Sequence, residues 1–324
     1  MSALNVQGKI ITVFGGSGFI GKAVVRALAK AGFRVRVCSR NAMSAYDLKM
    51  GGDVGQIQIM RCDVRRDSDV EAALKGALGF VNLIGILTPA PGRGFDQMHR
   101  QVSERISKCA ATNKIERAVY VSAIGANVKS ESTYARTKAT AEQALLKALP
   151  KASIVRPSVV FGHGDGFFNL LATQMSLLPF MPAFGGGKTR FQPVYVGDVA
   201  DAIAKILSQT GHEGDIYELG GPKTYSFSEL IAYTGEVIKM QRGQIPLPFF
   251  AARLIGLGGD LMTLVGLPPL LTNDQVTLLK ANNVVAGGAL GFKDLGITPT
   301  GLESIVPQYL WRYRDGGQFA QTTN

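Results

Sequence analysis

Two groups of residues in this 324-residue chain could do chemistry. Tyr134-Ala135-Arg136-Thr137-Lys138 sets a phenol and an ammonium four residues apart, which on a helix is a single face. A lysine so placed lowers a tyrosine pKa from about 10 towards neutrality and makes the phenol a general acid or base. The same ammonium can instead hydrogen-bond a nucleotide ribose. The second group is Gly15-Gly16-Ser17-Gly18-Phe19-Ile20-Gly21, a glycine fingerprint. Its spacing gives a tight turn, a close backbone approach to a pyrophosphate, and close packing of a helix on a strand.

Both groups need elements to hold them. The strand Ile10-Ile11-Thr12-Val13-Phe14 runs straight into the glycines, and a helix follows with the apolar face Ile20, Val24, Ala27, Leu28, Ala31. The N-terminus of that helix offers unpaired N–H groups and a positive dipole end to phosphates. Phe33 to Cys38 alternates as a second strand and ends at Ser39-Arg40. A cofactor with a free ribose 2′-hydroxyl meets an Asp or Glu there, whereas a 2′-phosphate needs a cation and small donors. Ser39 and Arg40, with Arg36 or Lys22 nearby, therefore predict NADP(H). The alternative for Arg40 is a solvated loop charge.

Strands and helices then alternate. Strands are predicted over 57–62, 80–84, 117–122 and 152–156, and helices over 67–78, 95–112 and 134–148. This rhythm predicts an α/β fold with a doubly wound parallel sheet. Ligands in such sheets lie beyond the C-terminal strand ends, where Gly15, Arg40, Asp63, Ile84, Ser122 and Pro157 converge. The rhythm breaks after residue 161. We expect a dinucleotide-binding domain over 1–161, a first insertion of a smaller lobe over 162–192, a return to the sheet over 193–220, and a mainly helical C-terminal lobe over 221–324.

Composition narrows the function classes. Lys and Arg exceed Asp and Glu by 35 to 24, a net charge of +11, which suits a polyanionic partner. No lysine-rich run or aromatic-interleaved basic stripe is present, so nucleic acid is not expected. Cys38, Cys62 and Cys109 are scattered and odd in number, reading as reduced core thiols; His99, His163 and His212 share no ligand spacing, so no metal is expected. Met1-Ser2-Ala3-Leu4-Asn5 leads directly into the first strand, so neither a secretory signal nor a transit peptide is expected. The charge-free stretch Gly166–Gly187 carries Pro179 and Pro182 and does not read as a membrane span.

These motifs, with Arg156-Pro157-Ser158-Val159-Val160-Phe161-Gly162 and Val194-Tyr195-Val196-Gly197-Asp198-Val199-Ala200, resemble the short-chain dehydrogenase/reductase superfamily on its extended or atypical side. The resemblance implies that Gly15 to Ile20 cradle the pyrophosphate. It implies that Asp63 and Val64 contact adenine and that Leu83, Ile84 and Gly85 line the cofactor ribose. Tyr134 and Lys138 would hold the nicotinamide ribose, and Pro157 and Ser158 would border the nicotinamide. One departure matters. Enzymes of the superfamily carry a serine or threonine just past the fifth strand, beside the tyrosine; here Ser122 is followed by Ala123-Ile124, and the catalytic position aligns with Ala123 or Ile124. Losing a positioning donor costs about 3 kcal/mol, so the tyrosine–lysine pair reads as a cofactor clamp. The alternative is a free-standing NADP(H)-dependent oxidoreductase or epimerase with Tyr134 as catalytic acid or base and Lys138 tuning it.

The C-terminal half is similar to one branch. Pro269 to Lys280, Asn283-Val284-Val285, Leu295 to Thr300 and Pro307 to Arg314 resemble the accessory subunits of proton-pumping NADH:ubiquinone oxidoreductase (respiratory complex I) of the alpha-subcomplex subunit nine type. That resemblance implies tightly bound NADPH, a structural rather than catalytic role, and other complex I subunits as partners. It also implies a peripheral position near a membrane: the cytoplasmic face of a bacterial inner membrane, or the matrix side in a mitochondrion. Anionic lipid is a further expected partner. Phe249 to Val265 is a nearly uncharged helical stretch, interrupted only by Arg253 and Asp260. It reads either as a surface for a partner or lipid or as a buried core helix.

Overall fold

The computed structural model describes residues 4–267, 269 and 271–317. Met1, Ser2 and Ala3 of the N-terminal reading and Leu270 of the C-terminal motif lie outside them. The chain divides into two compact units, one of residues 1–157, 197–219 and 286–298, the other of 158–196, 220–285 and 299–324.

The first unit is built on a seven-stranded parallel sheet. Its strands are β1 (Ile10–Phe14), β2 (Arg34–Ser39), β3 (Ile57–Arg61), β4 (Gly79–Asn82), β5 (Arg117–Val121) and β6 (Ser153–Pro157), with Ile216–Leu219 on the edge beside β6. The spatial order is Ile216–Leu219, β6, β5, β4, β1, β2, β3. The winding direction therefore reverses between β1 and β4, and the C-terminal ends of those two strands form the switch point where such sheets bind ligands. Helices α1 (Phe19–Lys30), α2 (Asp67–Leu74), α3 (Val102–Thr112) and α4 (Thr133–Ala148) make the crossovers. Phe14, Val70, Leu74, Phe80, Val102, Ile106 and Tyr120 bury one face of the sheet beneath α2, α3 and α4.

The helix expected over 95–112 is interrupted. Asp96–Gln101 winds as a π-helical turn before α3 begins at Val102. Residues Ala286–Thr298, expected in the C-terminal lobe, pack with the first unit. Leu290 bridges Tyr217 as a parallel partner, and the Glu218 amide donates to the Leu290 carbonyl.

The second unit carries α5 (Phe168–Leu177), α7 (Phe227–Val237) and α8 (Phe249–Leu264), α6 (Val196–Ser208) belonging to the first unit from Gly197 onward. Its core gathers Phe161, Phe168, Phe184, Phe191, Phe227, Leu230 and Tyr309. The strands Phe180–Phe184 and Gly243–Leu247 pair in parallel within it. No helix among the described residues is long and apolar enough to cross a membrane.

Candidate functional site

The glycine loop closes the end of β1 as its spacing predicts. Gly15 has φ +82°, a conformation L side chains avoid, and its carbonyl accepts the Gly18 amide at 3.0 Å. A Cβ at Gly21 would stand 2.3 Å from the Gly15 carbonyl oxygen, so only glycine lets α1 approach the turn. The N-cap of α1 is Gly18, no side chain caps the first turn, and no carboxylate lies in it. Its leading N–H groups, from Phe19 and Ile20 onward, therefore remain for an anion.

At the end of β2 the Ser17 and Ser39 hydroxyls lie 3.0 Å apart, and Ser39 donates to the Asn41 carbonyl. This ties the glycine loop to the second strand. Arg40 is exposed beside it and makes no ion pair among the described residues. Arg36 and Lys22 do not join Arg40, contrary to the sequence expectation. The Arg36 guanidinium donates to the Ala73 and Lys75 carbonyls, where the C-terminus of α2 leaves unpaired acceptors, and Lys22 pairs with Asp47 at 2.7 Å.

Asp63 and Val64 follow β3. The Asp63 amide donates to Asp69, while Arg65 grips its carboxylate and holds the carboxyl down at about 2. Leu83, Ile84 and Gly85 follow β4; Leu83 and Ile84 face the glycine loop, whereas a Cβ on Gly85 would lie 3.1 Å from the Lys138 Nζ and 3.6 Å from the His99 Nε2. A Cβ on Gly15 would lie 3.3 Å from the Ile84 Cδ1 and 3.4 Å from Leu83. Asn82 shapes this turn: its Oδ1 accepts the Ile84 amide and its Nδ2 donates to Ser103.

Tyr134 and Lys138 lie on one face of α4, and Glu142 continues the row. Glu142 receives both arms of the Arg156 guanidinium from β6, at 2.9 and 2.6 Å, which anchors α4 to the sheet. The Lys138 ammonium is buried and donates to the Val121 carbonyl; burial lowers its pKa to about 8. Ser122 follows directly, its hydroxyl buried without a hydrogen-bond partner among the described residues. The Ser122 and Ile124 amides donate to Val155 and Pro157, so the β5–β6 ladder runs on past β5. Ser158 belongs to the second unit, where its hydroxyl donates to Asn283 Oδ1 at 2.6 Å.

The residue missed by sequence reading is His99, which the sequence places in the 95–112 helix with no ligand spacing and no assigned role. The π-helical turn carries it fully buried towards α4. Its Nε2 accepts the Ile86 amide at 3.0 Å, which leaves Nδ1–H to donate to the Thr137 hydroxyl at 2.9 Å. The Thr137 hydroxyl in turn donates to the Thr133 carbonyl at 2.8 Å. Burial, then the nearby Lys138 charge, lowers the imidazole pKa to about 3, so the ring is neutral. The ring also meets Tyr134 edge-on at 5.4 Å. A signal existed: Phe95, His99, Val102 and Ile106 form an apolar stripe with one polar member, which must find partners once buried.

A nicotinamide dinucleotide fits these residues. The loop presents bare backbone where any Cβ would intrude, uncapped amides face its phosphate position, and no carboxylate opposes it. Among the described residues no group of histidine, cysteine or carboxylate side chains could hold a metal ion.

Comparison with known proteins agrees with this geometry. Residues 11–220 match the NAD dependent epimerase/dehydratase family. The chain is 36% identical to the mitochondrial NADH dehydrogenase (ubiquinone) 1 alpha subcomplex subunit 9 of Arabidopsis thaliana, over 97% of this chain and 80% of that one. It is 28% identical to the mitochondrial NADH-ubiquinone oxidoreductase 40 kDa subunit of Neurospora crassa, over 97% and 82%. Among solved structures it resembles the NADPH-dependent quinone oxidoreductase QOR2 of Escherichia coli, with a TM-score of 0.73, 20% identity, and coverage of 93% and 99%. At that identity the likeness is one of fold.

Proposed function

Because this chain belongs to the NAD dependent epimerase/dehydratase family and, within it, to the alpha subcomplex subunit 9 group, we propose that it is a non-catalytic, NADPH-binding accessory subunit of proton-pumping NADH:ubiquinone oxidoreductase (complex I). The observation that carries the reading is the extent of the match. The broader family covers residues 11–220, whereas the Arabidopsis subunit 9 and the Neurospora 40 kDa subunit both align over 97% of the chain, so the match includes the C-terminal lobe.

NADPH is favoured over NADH by the end of β2, where Ser39 and the exposed Arg40 stand and no carboxylate follows the strand. In this reading Gly15 to Ile20 hold the pyrophosphate, Asp63 and Val64 border the adenine, and Leu83 to Gly85 lie along the ribose. Tyr134 and Lys138 clamp the nicotinamide ribose, with Ser122, Pro157 and Ser158 around the ring. The dinucleotide supplies hydride chemistry in enzymes of this fold; here it supplies binding energy. At a hundred times its dissociation constant a ligand adds about 2.7 kcal/mol to the stability of the folded state. The folded lobe then holds neighbouring subunits of the peripheral arm near the membrane, on the cytoplasmic face in a bacterium or the matrix side in a mitochondrion. Anionic lipid belongs to the same environment.

Native electrophoresis of gently solubilised membranes, with in-gel NADH dehydrogenase staining and mass spectrometry, tests the assignment. Co-migration with the large NADH-oxidising band supports it. Migration only near monomer or dimer mass overturns it.

One observation favours a second reading, a free-standing NADP(H)-dependent oxidoreductase or epimerase that uses Tyr134 and Lys138. The Ser122 hydroxyl lies one residue past β5, buried and without a partner among the described residues, and could serve as the missing donor. Stoichiometric NADPH oxidation by the purified chain, with a quinone or nucleotide sugar supplied, would establish that reading.

A further inference from the structure

Helix α8 is built inside out. Its small residues Ala252, Gly256, Gly259 and Thr263 are the buried ones, at spacings of four, three and four. They sit so close to the chain that follows that a Cβ on Gly259 would lie 1.8 Å from the Leu271 carbonyl oxygen, and one on Gly256 2.7 Å from Asn273 Oδ1. On the opposite side Phe250, Leu254, Leu257, Leu261 and Leu264 repeat every three or four residues and stand in solvent. Phe250 is 72% exposed and Leu264 73%. Val265 and Leu267 extend the stripe, and Leu177, Phe180 and Ile245 are exposed in the same unit. A soluble helix does the reverse, turning its large apolar residues inward. Small residues against protein and large ones outward is the arrangement of helices bathed in lipid.

The charges identify the lipid. Between residues 237 and 271 the charged side chains are Lys239, Arg242, Arg253 and Asp260. Asp260 is turned back into the fold, accepting from the Asn273 amide and side chain. Arg242 also donates to the Met175 carbonyl. Arg253 is exposed on α8, one residue before Leu254 in the stripe. At 16 residues α8 is too short to span a bilayer but long enough to lie along its surface. We propose that the Phe250–Leu254–Leu257–Leu261–Leu264 face of α8 beds in the headgroup–acyl boundary of an anionic bilayer, with Arg253 against the lipid phosphates. The inference names the surface for the lipid contact in the reading above. Its test needs only the purified full chain, so it fails separately from assembly into the respiratory enzyme.

The test is co-sedimentation with large vesicles of phosphatidylcholine alone, or of phosphatidylcholine and phosphatidylglycerol at about 3:1, whose anionic surface attracts cations beside it. We expect binding to the mixed vesicles about tenfold above neutral ones at low salt, weakened by salt. The double variant Leu254→Glu/Leu261→Glu should lose about tenfold or more while keeping the wild-type melting temperature, because both side chains point outward. Arg253→Glu should lose only the preference for the anionic vesicles. Should the double variant fail to fold, Leu261→Cys carrying an environment-sensitive dye gives the same information, since the native cysteines are all buried. A blue shift confined to the anionic vesicles supports the proposal. Wild-type protein left in the supernatant with both vesicle types overturns it. So does self-association through α8 that the glutamate variants abolish, which would make a second copy the occupant of this face.

Discussion

The Lys138 ammonium donates to the Val121 carbonyl at 2.9 Å and stands over the Tyr120 ring, 5.0 Å from its centroid. It is a buried charge with its nearest carboxylate, Glu142, already gripped by Arg156. The unfolded chain keeps this proton up to about pH 10.5 and the folded chain only up to about 8. Between those values the unfolded state binds more protons, so this group makes stability rise with pH. Below pH 8 its full cost remains, roughly 3 kcal/mol. Lys138→Met should therefore stabilise the cofactor-free protein at pH 7, by up to roughly 3 kcal/mol, while weakening NADPH retention. Urea melts of both proteins, with and without NADPH, check this. A variant less stable than wild type without cofactor would show that the ammonium is not held at a cost.

His99 carries a dependence of the same sign in a lower pH window. Its imidazole is neutral in the fold, with a pKa of about 3 against an ordinary 6.5, so acid favours the unfolded chain. This group alone should remove about 2 kcal/mol between pH 7 and pH 5. His99→Leu leaves the Ile86 amide without its acceptor and should cost about 1–3 kcal/mol at pH 7. At pH 5 the two proteins should be nearly equal, because only wild type pays for proton uptake. Parallel melting curves across that range would count against a buried neutral histidine.

The distance between Gly21 and Gly15 makes the tightest demand on the first unit. Gly21→Ala puts a methyl 2.3 Å from a backbone oxygen that has no freedom to move. It should cost about 3 kcal/mol or more and abolish NADPH binding. Gly18→Ala meets the same oxygen at 3.3 Å, so the loop must shift only slightly. It should fold normally yet bind NADPH more weakly, since the methyl enters the phosphate position. Differential scanning fluorimetry and NADPH fluorescence titration separate the two outcomes.

Much of the dinucleotide-binding sheet was legible because its signals are local. The run Ile10 to Phe14 feeding the glycines, and the strands predicted at 57–62, 117–122 and 152–156, fall within a residue or so of β1, β3, β5 and β6. The cation pocket was less legible. Arg36, Lys22 and Arg40 are close in sequence, but carbonyls at the end of α2 and the carboxylate of Asp47 take the first two. Such competition depends on segments far along the chain. The π-helical turn was invisible for another reason. One extra residue per turn leaves no compositional trace, so His99 was read with an ordinary helical period and its place beside Tyr134 was lost. In α8 composition shows an apolar helix but not which side faces out; the close approach of Gly256 and Gly259 to residues 271–273 decides that.

In the proposed reading Arg40 bears the choice of cofactor. It is exposed at the end of β2 next to Ser39, and no carboxylate there would repel a 2′-phosphate. A charge-assisted bond of this kind is worth about 1.5–3 kcal/mol. Arg40→Ala should weaken NADPH binding by roughly tenfold to a hundredfold and leave NADH affinity nearly unchanged. Isothermal titration with both dinucleotides measures the ratio. An equal loss for both would mean that Arg40 does not meet the 2′ position.

Tyr134 separates a clamp from a catalyst. Its ring is held edge-on between Phe95 and His99, at 6.0 and 5.4 Å, on the α4 face that also carries Lys138. Removing only the phenolic oxygen leaves those contacts intact. If the pair clamps the ribose, Tyr134→Phe loses one hydrogen bond to the cofactor, about 0.5–1.5 kcal/mol of binding, or up to about tenfold in affinity. Quinone reduction by the assembled complex should then stay near the wild-type rate, because no proton is transferred through this oxygen. If Tyr134 is a general acid or base, the same variant loses about a hundredfold or more in rate with assembly intact. Turnover of membranes carrying Tyr134→Phe, normalised to the amount of assembled complex on native gels, distinguishes a modest loss of cofactor from a loss of chemistry.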